Sequence, residues 1–303
     1  MEHILSSLTT EQPNENTENI DQLSSEEIMY LINAEDRQIA DHVRTIIPQI
    51  AKAADMIVES FRAGGRLFYV GAGTSGRIGI LDASECPPTF GTDPSMVQGL
   101  IAGGFKAVKD PVEGAEDSEK LGKDDIDSHA VGSSDVIVGI AASGRTPYVI
   151  GAMKRAAELG ASVVGLSNNA GTPMKDYADL MIEAPVGPEV ILGSTRMKSG
   201  TAQKMILNML TTTSMIRIGK VYRNLMVDLN PSNEKLVFRA KRIIGMATHA
   251  EDEQIEQAFA NSGGHVKTAI VMIMAGVNAE EARLLLEKSG GFVRAAIEER
   301  MQF

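Results

Sequence analysis

The sequence predicts an α/β protein: a doubly wound, five-stranded parallel sheet with helices before it and a small helical bundle after it. Three observations predict this. Short apolar runs recur at 66–71, 136–143, 162–168 and 179–185, with a weaker member at 96–103. Helical patterns lie between them, notably at 147–159 and 196–219. After Asn230-Pro231-Ser232 the strand signal disappears. Continuous apolar strands are what burial on both faces of a parallel sheet requires, and alternation with helices implies right-handed crossovers.

Taken in order, residues 1–24 are polar, with Pro13, Asn14, Asn16 and Asn19, and read as an arm or tail for which simple disorder is the plain alternative. Ser24-Ser25-Glu26-Glu27 supplies a cap and first-turn acids before Ile28, Leu31 and Ile32. A second helical pattern covers about 35–62, where Pro48 is expected to kink or split it. The five strands and their helices then occupy 35–225. The tail repeats itself: SGGHVKTAI (262–270) and SGGFVRAAI (289–297) each follow an acidic amphipathic stretch. These read as two helix–Gly-Gly–helix units packed as a small bundle, since two copies are too few for a solenoid. The expected division is therefore 1–34, 35–225 and 232–303.

Composition narrows the function. The chain has 303 residues, and 29 basic against 40 acidic side chains give a formal charge of −11. That mean field repels nucleic acid and anionic membrane surfaces but leaves room for a small anion held by local amides. One cysteine, Cys86, excludes an internal disulfide and cysteine metal clusters. His3, His42, His129, His249 and His265 show no metal-ligand spacing. No uninterrupted run of ~18 apolar residues spans a bilayer, and MEHILSSLTTEQ has no basic-then-apolar leader pattern. A soluble, reduced, cytoplasmic protein is the expectation.

Three strand exits carry chemistry. Gly71-Ala72-Gly73-Thr74-Ser75-Gly76-Arg77 follows the first strand and opens a helix, a geometry suited to phosphate. It is not a Walker loop, and although Gly71, Gly73 and Gly76 fit a dinucleotide spacing, no acid closes a strand about 20 residues on. Ala142-Ser143-Gly144-Arg145-Thr146-Pro147 repeats the device, with Pro147 at a first helical position. Two such turns at the carboxyl ends of parallel strands face one crevice, and their hydroxyls suit a phosphorylated polyol. Gly187-Pro188-Glu189-Val190 followed by Gly193-Ser194-Thr195-Arg196-Met197-Lys198 is the third. There Glu189 is either a group for sugar hydroxyls or protons, or a cap. Lys198 and Lys204 follow on the next helix, and the sequence does not choose between them. His265 reads as a helix-turn packing residue, and methionines such as Met272 and Met274 read as core filler.

These segments resemble the sugar isomerase (SIS) domain family of phosphosugar-binding α/β proteins, and within it the N-acetylmuramic acid 6-phosphate etherases. VGAGTSGRIGILDASECPPT, VEGAEDS, VGIAASGRTPYV, GSTRMKSGTAQK and NLMVD carry the resemblance, which covers nearly the whole chain. It implies a cytoplasmic homodimer that recycles cell-wall muropeptides. The enzyme would cleave the D-lactyl ether at C3 of the phosphorylated amino sugar, giving N-acetylglucosamine 6-phosphate and D-lactate. No metal or organic cofactor is implied. The catalytic pair becomes Glu85, as acid/base at the lactate oxygen and water, and Glu116, as base at C2. Ser75, Ser143 and Thr146 would hold the 6-phosphate with Thr74 beside them. Gly76, Gly144 and Ser194 in the same turns, Arg145 facing phosphate or the lactyl carboxylate, and Glu189 complete the expected substrate-binding set.

One difficulty comes with that assignment. A straight helix from Ser75 to Glu85 is ~15 Å long, so a phosphate at Ser75 leaves Glu85 far from C2 and C3. The expectation is a site near a dimer interface, where the neighbouring subunit lends one carboxylate. Two other readings use the same fold: an aldose–ketose phosphosugar isomerase, and a sugar-phosphate-sensing regulator. The absence of a basic helix-turn-helix arm argues against a transcription regulator.

Overall fold

The computed structural model describes residues 8–301 except 230 and 232. The first seven residues of the polar arm, with His3, and Asn230 and Ser232 of the expected boundary lie outside the described residues. The chain divides into two compact units: residues 1–84 with 95–211, and residues 85–94 with 212–303.

In the first unit, α1 (Ser25–Asp36) opens with a reciprocal capping box between Ser24 and Glu27. It runs one residue past the expected start of the second helical pattern. That pattern is split into α2 (Ile39–Thr45) and α3 (Ile47–Arg62). Pro48 causes the break: it sits in the first turn of α3, where its missing N–H costs nothing.

The sheet follows as read: β1 (Leu67–Gly71), then α4 (Gly73–Phe90), β2 (Val97–Ile101), short α5 (Lys106–Lys109), α6 (Glu119–Ser128), β3 (Val136–Ala141), α7 (Pro147–Glu158), β4 (Ser162–Ser167), β5 (Leu180–Glu183) and α8 (Lys198–Arg217). All pairings are parallel and the order is β2-β1-β3-β4-β5. The order reverses direction at β1 and β3, whose carboxyl ends flank the switch point of the sheet. Every residue of β1 and β3 is buried, which explains their unbroken apolar sequence. Phe68, Val70, Ile137, Val149, Met153 and Val163 belong to one core cluster.

The polar arm is ordered over residues 8–22, against the alternative of simple disorder. It forms three 3-10 turns, Thr9–Glu11, Glu15–Thr17 and Ile20–Gln22. Long-range bonds hold it down. The Thr9 amide and hydroxyl donate to Asn169 Oδ1 at 2.8 and 2.9 Å, and Asn169 Nδ2 donates to Thr10 Oγ1 at 3.0 Å. The Thr17 hydroxyl donates to the Val190 carbonyl at 2.8 Å. Thr10 and Thr17 are buried.

In the second unit, a hairpin of β6 (Val221–Tyr222) and β7 (Leu225–Met226) precedes α9 (Glu234–Thr248). Strands of two residues are too short to leave a sequence pattern. The repeat follows as read: α10 (Asp252–Asn261), α11 (Val266–Ala275), α12 (Ala279–Lys288) and α13 (Val293–Met301), with Gly263-Gly264 and Gly290-Gly291 between partners. Ile244, Ala269, Ile270 and Ala296 centre its core, and Met272 and Met274 pack against it. His265 caps α11, its Nδ1 accepting from the Thr268 amide at 3.4 Å. Asp228 is a buried hub, bonded to Lys267 at 2.7 Å and Lys220 at 3.1 Å. Burial pushes its carboxyl up, but His265 and the two ammonium groups outweigh this and hold it below the usual aspartate range.

Candidate active site

The site follows from how β1 and β3 end. Gly71 pairs with Ile101 on one side and Ile140 on the other, so the first two strand exits emerge at one level. At the first exit, helix and strand are pressed together. A Cβ on Gly71 would meet Gly76 N at 2.6 Å, and one on Gly76 would meet Gly71 O at 2.8 Å and Ile101 Cγ1 at 2.6 Å. The dinucleotide-like glycine spacing is therefore a packing requirement, and Gly73, at φ +52°, turns the chain into α4. Ser75 is buried in the first turn of that helix.

At the second exit the Ser143 hydroxyl accepts from the Arg145 amide at 3.2 Å. Gly144, at φ +64°, lies against Thr172. Thr146 precedes α7 yet makes no capping bond with its side chain. Arg145 Nε is buried without a partner among the described residues, and such an orphan donor asks for an acceptor.

Around these exits lies a cleft of about 350 Å³. Thr74 and Ser75 line it from the first turn, Ser143, Arg145 and Thr146 from the second, and Gly193 and Thr195 from the third. Glu116 and Asp117 enter from the loop before α6, and Glu11 enters from the arm. Glu116 also lines an adjoining recess of about 280 Å³ with Gly73, Arg77 and Glu113. Its loop is set by the α6–α7 contact, where Gly122 and Gly151 let the backbones approach: a Cβ on Gly122 would lie 1.9 Å from Tyr148 O. The Glu116 carbonyl accepts the Tyr148 amide at 3.0 Å, anchoring the loop to α7.

The structure thus brings Thr74, Ser75, Ser143, Arg145, Thr146 and Glu116 to one cleft. Gly76, Gly144 and Ser194 adjoin lining residues in sequence without lining it themselves. Glu189 is engaged otherwise. It is fully buried, and its carboxylate accepts the amides of Lys198 at 2.8 Å and Ser199 at 2.9 Å, closing the start of α8. Lys198 is spent too: its ammonium bonds Glu35 at 2.7 Å. Burial pushes the Glu35 carboxyl up, but the Lys198 and Asn16 bonds win and leave it below the usual range. Lys204 is exposed. Glu85 stands exposed on α4 and belongs to the second unit. One turn earlier, burial pushes the Asp82 carboxyl up, against opposing bonds from Thr211 and Tyr69.

Sequence reasoning missed Glu11, Asp117 and Thr195. Asp117 and Thr195 sit inside motifs already singled out and were hidden by their neighbours. Glu11 had only its place in a polar arm.

A doubly wound parallel sheet with hydroxyl-bearing exits at its switch point is the architecture of the SIS class of α/β proteins. Two SIS families match the chain: the glucokinase regulatory protein N-terminal SIS domain over residues 49–157, and the SIS domain over residues 121–213. Relatives span almost its entire length. The N-acetylmuramic acid 6-phosphate etherase of Photorhabdus laumondii is 56% identical over 97% of both chains. N-acetylmuramic acid 6-phosphate etherase 2 of Lactiplantibacillus plantarum is 54% identical, over 97% of this chain and 99% of the relative. The etherase of an Exiguobacterium species is 53% identical, over 97% of this chain and all of the relative. The chain belongs to the N-acetylmuramic acid 6-phosphate etherase family.

Proposed function

We infer that the protein is a carbon–oxygen lyase that cleaves the D-lactyl ether of N-acetylmuramic acid 6-phosphate, giving N-acetylglucosamine 6-phosphate and D-lactate. One observation carries this reading of the site: in a chain of the etherase family, hydroxyl turns suited to a phosphate and an accessible carboxylate, Glu116, line one cleft. The isomerase and sensor readings would use the same turns, but the relatives' names favour the etherase.

The chemistry needs two acid/base groups. An ether leaves poorly in direct hydrolysis. Ring opening makes C1 an aldehyde and acidifies the C2 hydrogen. Glu116 takes that proton, the C2–C3 double bond forms, and the C3–O bond breaks as Glu85 protonates the departing lactate. Water then adds at C3 with Glu85 as base, the proton returns to C2, and the ring recloses. The sum is substrate plus water giving two products. Ser75, Ser143 and Thr146, with Thr74 beside them, hold the 6-phosphate, and Arg145 meets an anionic end of the substrate through its orphan Nε. In this reading segment 35–225 binds the phosphosugar, 1–34 attaches to it, and 232–303 is an accessory helical domain.

Glu85 lies ten residues beyond Ser75 in the helix Gly73–Phe90, about 15 Å of axial rise. That length supports a homodimer in which one carboxylate of each working pair comes from the partner. Cell-wall recycling in the cytoplasm is the setting such a substrate implies. Among the described residues, no helix is long and apolar enough to cross a membrane.

The test is to incubate the protein with N-acetylmuramic acid 6-phosphate and assay free D-lactate. Release is expected; an intact lactyl ether after prolonged contact with folded protein overturns the reading. Glu85→Ala is expected to abolish release while sugar-phosphate binding, followed by calorimetry, persists.

A further inference from the structure

We propose that Glu11, carried on the polar arm, contacts the substrate: its carboxylate accepts hydroxyl or amide hydrogens of the phosphorylated sugar, so that the arm selects the sugar while the strand exits select the phosphate. The inference rests on the reading of the cleft as the sugar-phosphate site.

Among the described residues, the turn that carries Glu11 is the one arm turn that reaches the cleft lining. It is half-buried, and its side chain has no hydrogen bond or ion pair among the described residues. Its Oε2 comes within 3.6 Å of where a Cβ on Gly193 would stand, which places it against the third strand exit.

The placement is held, not incidental. Thr9 and Thr10, the two residues before it, are the ones tied to Asn169. Asn169 Nδ2 also donates to the Ala142 carbonyl at 2.9 Å, beside the second exit. Farther along the arm, Asn16 bonds Glu35, the partner of Lys198. Burying polar side chains is costly unless each finds a partner, and here the partnered groups immobilise a backbone whose next side chain is left open.

Charge narrows what Glu11 accepts. Three carboxylates, Glu11, Glu116 and Asp117, line the cleft with one guanidinium, Arg145. An ionised carboxylate only accepts hydrogen bonds and repels phosphate or a second carboxylate. The substrate's anionic ends therefore lie toward Arg145 and the hydroxyl turns. What remains for Glu11 is a neutral donor: a sugar hydroxyl or the acetamido N–H.

The experiment uses the full chain and three readouts: D-lactate kinetics, thermal melting, and calorimetric binding of N-acetylglucosamine 6-phosphate and of inorganic phosphate. Glu11→Gln keeps the shape and removes the charge; Glu11→Asp keeps the charge and draws it back. Both are expected to melt with the wild type, because no folded-state partner is lost. Each is expected to weaken sugar-phosphate binding and raise KM about tenfold or more, the loss of a charged hydrogen bond, while inorganic phosphate binds as before. Glu18→Gln, an exposed arm substitution, is expected to change nothing. Unaltered KM and sugar-phosphate affinity in both variants overturn the proposal. So does parallel weakening of inorganic phosphate and sugar phosphate, which marks a merely structural arm. If the wild type itself releases no D-lactate, the fault lies with the etherase reading, not with Glu11.

Discussion

Glycine-led turns open helices in both compact units, and the two units finish those turns in opposite ways. In the tail, His265 caps α11 through the Thr268 amide, and Asn278 caps α12 in a reciprocal box with Glu281. The nearby charges, Asp228 with half-buried Lys220 and buried Lys267, are paired with one another. In the sheet, Thr146 precedes α7 without a side-chain cap, and Arg145 Nε is buried without a partner among the described residues. A single local device serves stability where the chain supplies its own acceptors and, in the proposed reading, binding where it withholds them. The third strand exit shows the contrast inside one unit, because Glu189 satisfies the start of α8 from within.

Substitutions in the open turns should move activity, and those in the closed ones should move stability. After the loss expected of Glu85→Ala, the largest effect is expected from Glu116→Gln, which removes a proton acceptor and should lower D-lactate release about 10²- to 10⁴-fold; release near wild-type rate would take Glu116 out of the chemistry. Next, Thr146→Val should raise KM about tenfold through one lost hydroxyl contact while leaving the melting temperature in place. A matching loss of stability would mean that this turn is closed after all. His265→Ala tests the other side: removing the cap should cost about 1 kcal/mol, read in thermal or urea unfolding, and no change would dissolve the contrast.

The smallest expected effect is electrostatic. Burial pushes the Asp135 carboxyl up, but the Arg66 bonds and the Gly132 and Arg66 amides outweigh it and leave it below the ordinary value of 3.8. A depressed acid stabilises the fold above its unfolded value, and that contribution is lost as pH falls through the folded one. Melting temperature should therefore fall on acidification below the ordinary aspartate range. Asp135→Asn should be less stable at neutral pH and should show a flatter acid limb; parallel limbs would contradict the assignment.

Much of this was legible in the sequence because its signals are local. β1 and β3 announced themselves as unbroken apolar runs, and Gly-Gly pairs marked the tail turns. The Gly71/Gly76 spacing was visible too, but its cause, strand against helix, was not. Long-range partnership left no trace. Nothing about Glu189 tells a cap from a ligand until α8 is placed above it. Nothing about Thr9 and Thr10 marks them as docked, since their partner Asn169 is about 160 residues away. A polar segment looks the same whether water or an asparagine satisfies it.

The docked arm also sets an order of assembly. During synthesis it leaves the ribosome well before Asn169, Val190 and Lys198, which fix its course directly or through Glu35. The earliest-made wall of the cleft is thus among the last parts to be seated, and a nascent chain halted before β4 would carry Glu11 with nowhere to put it.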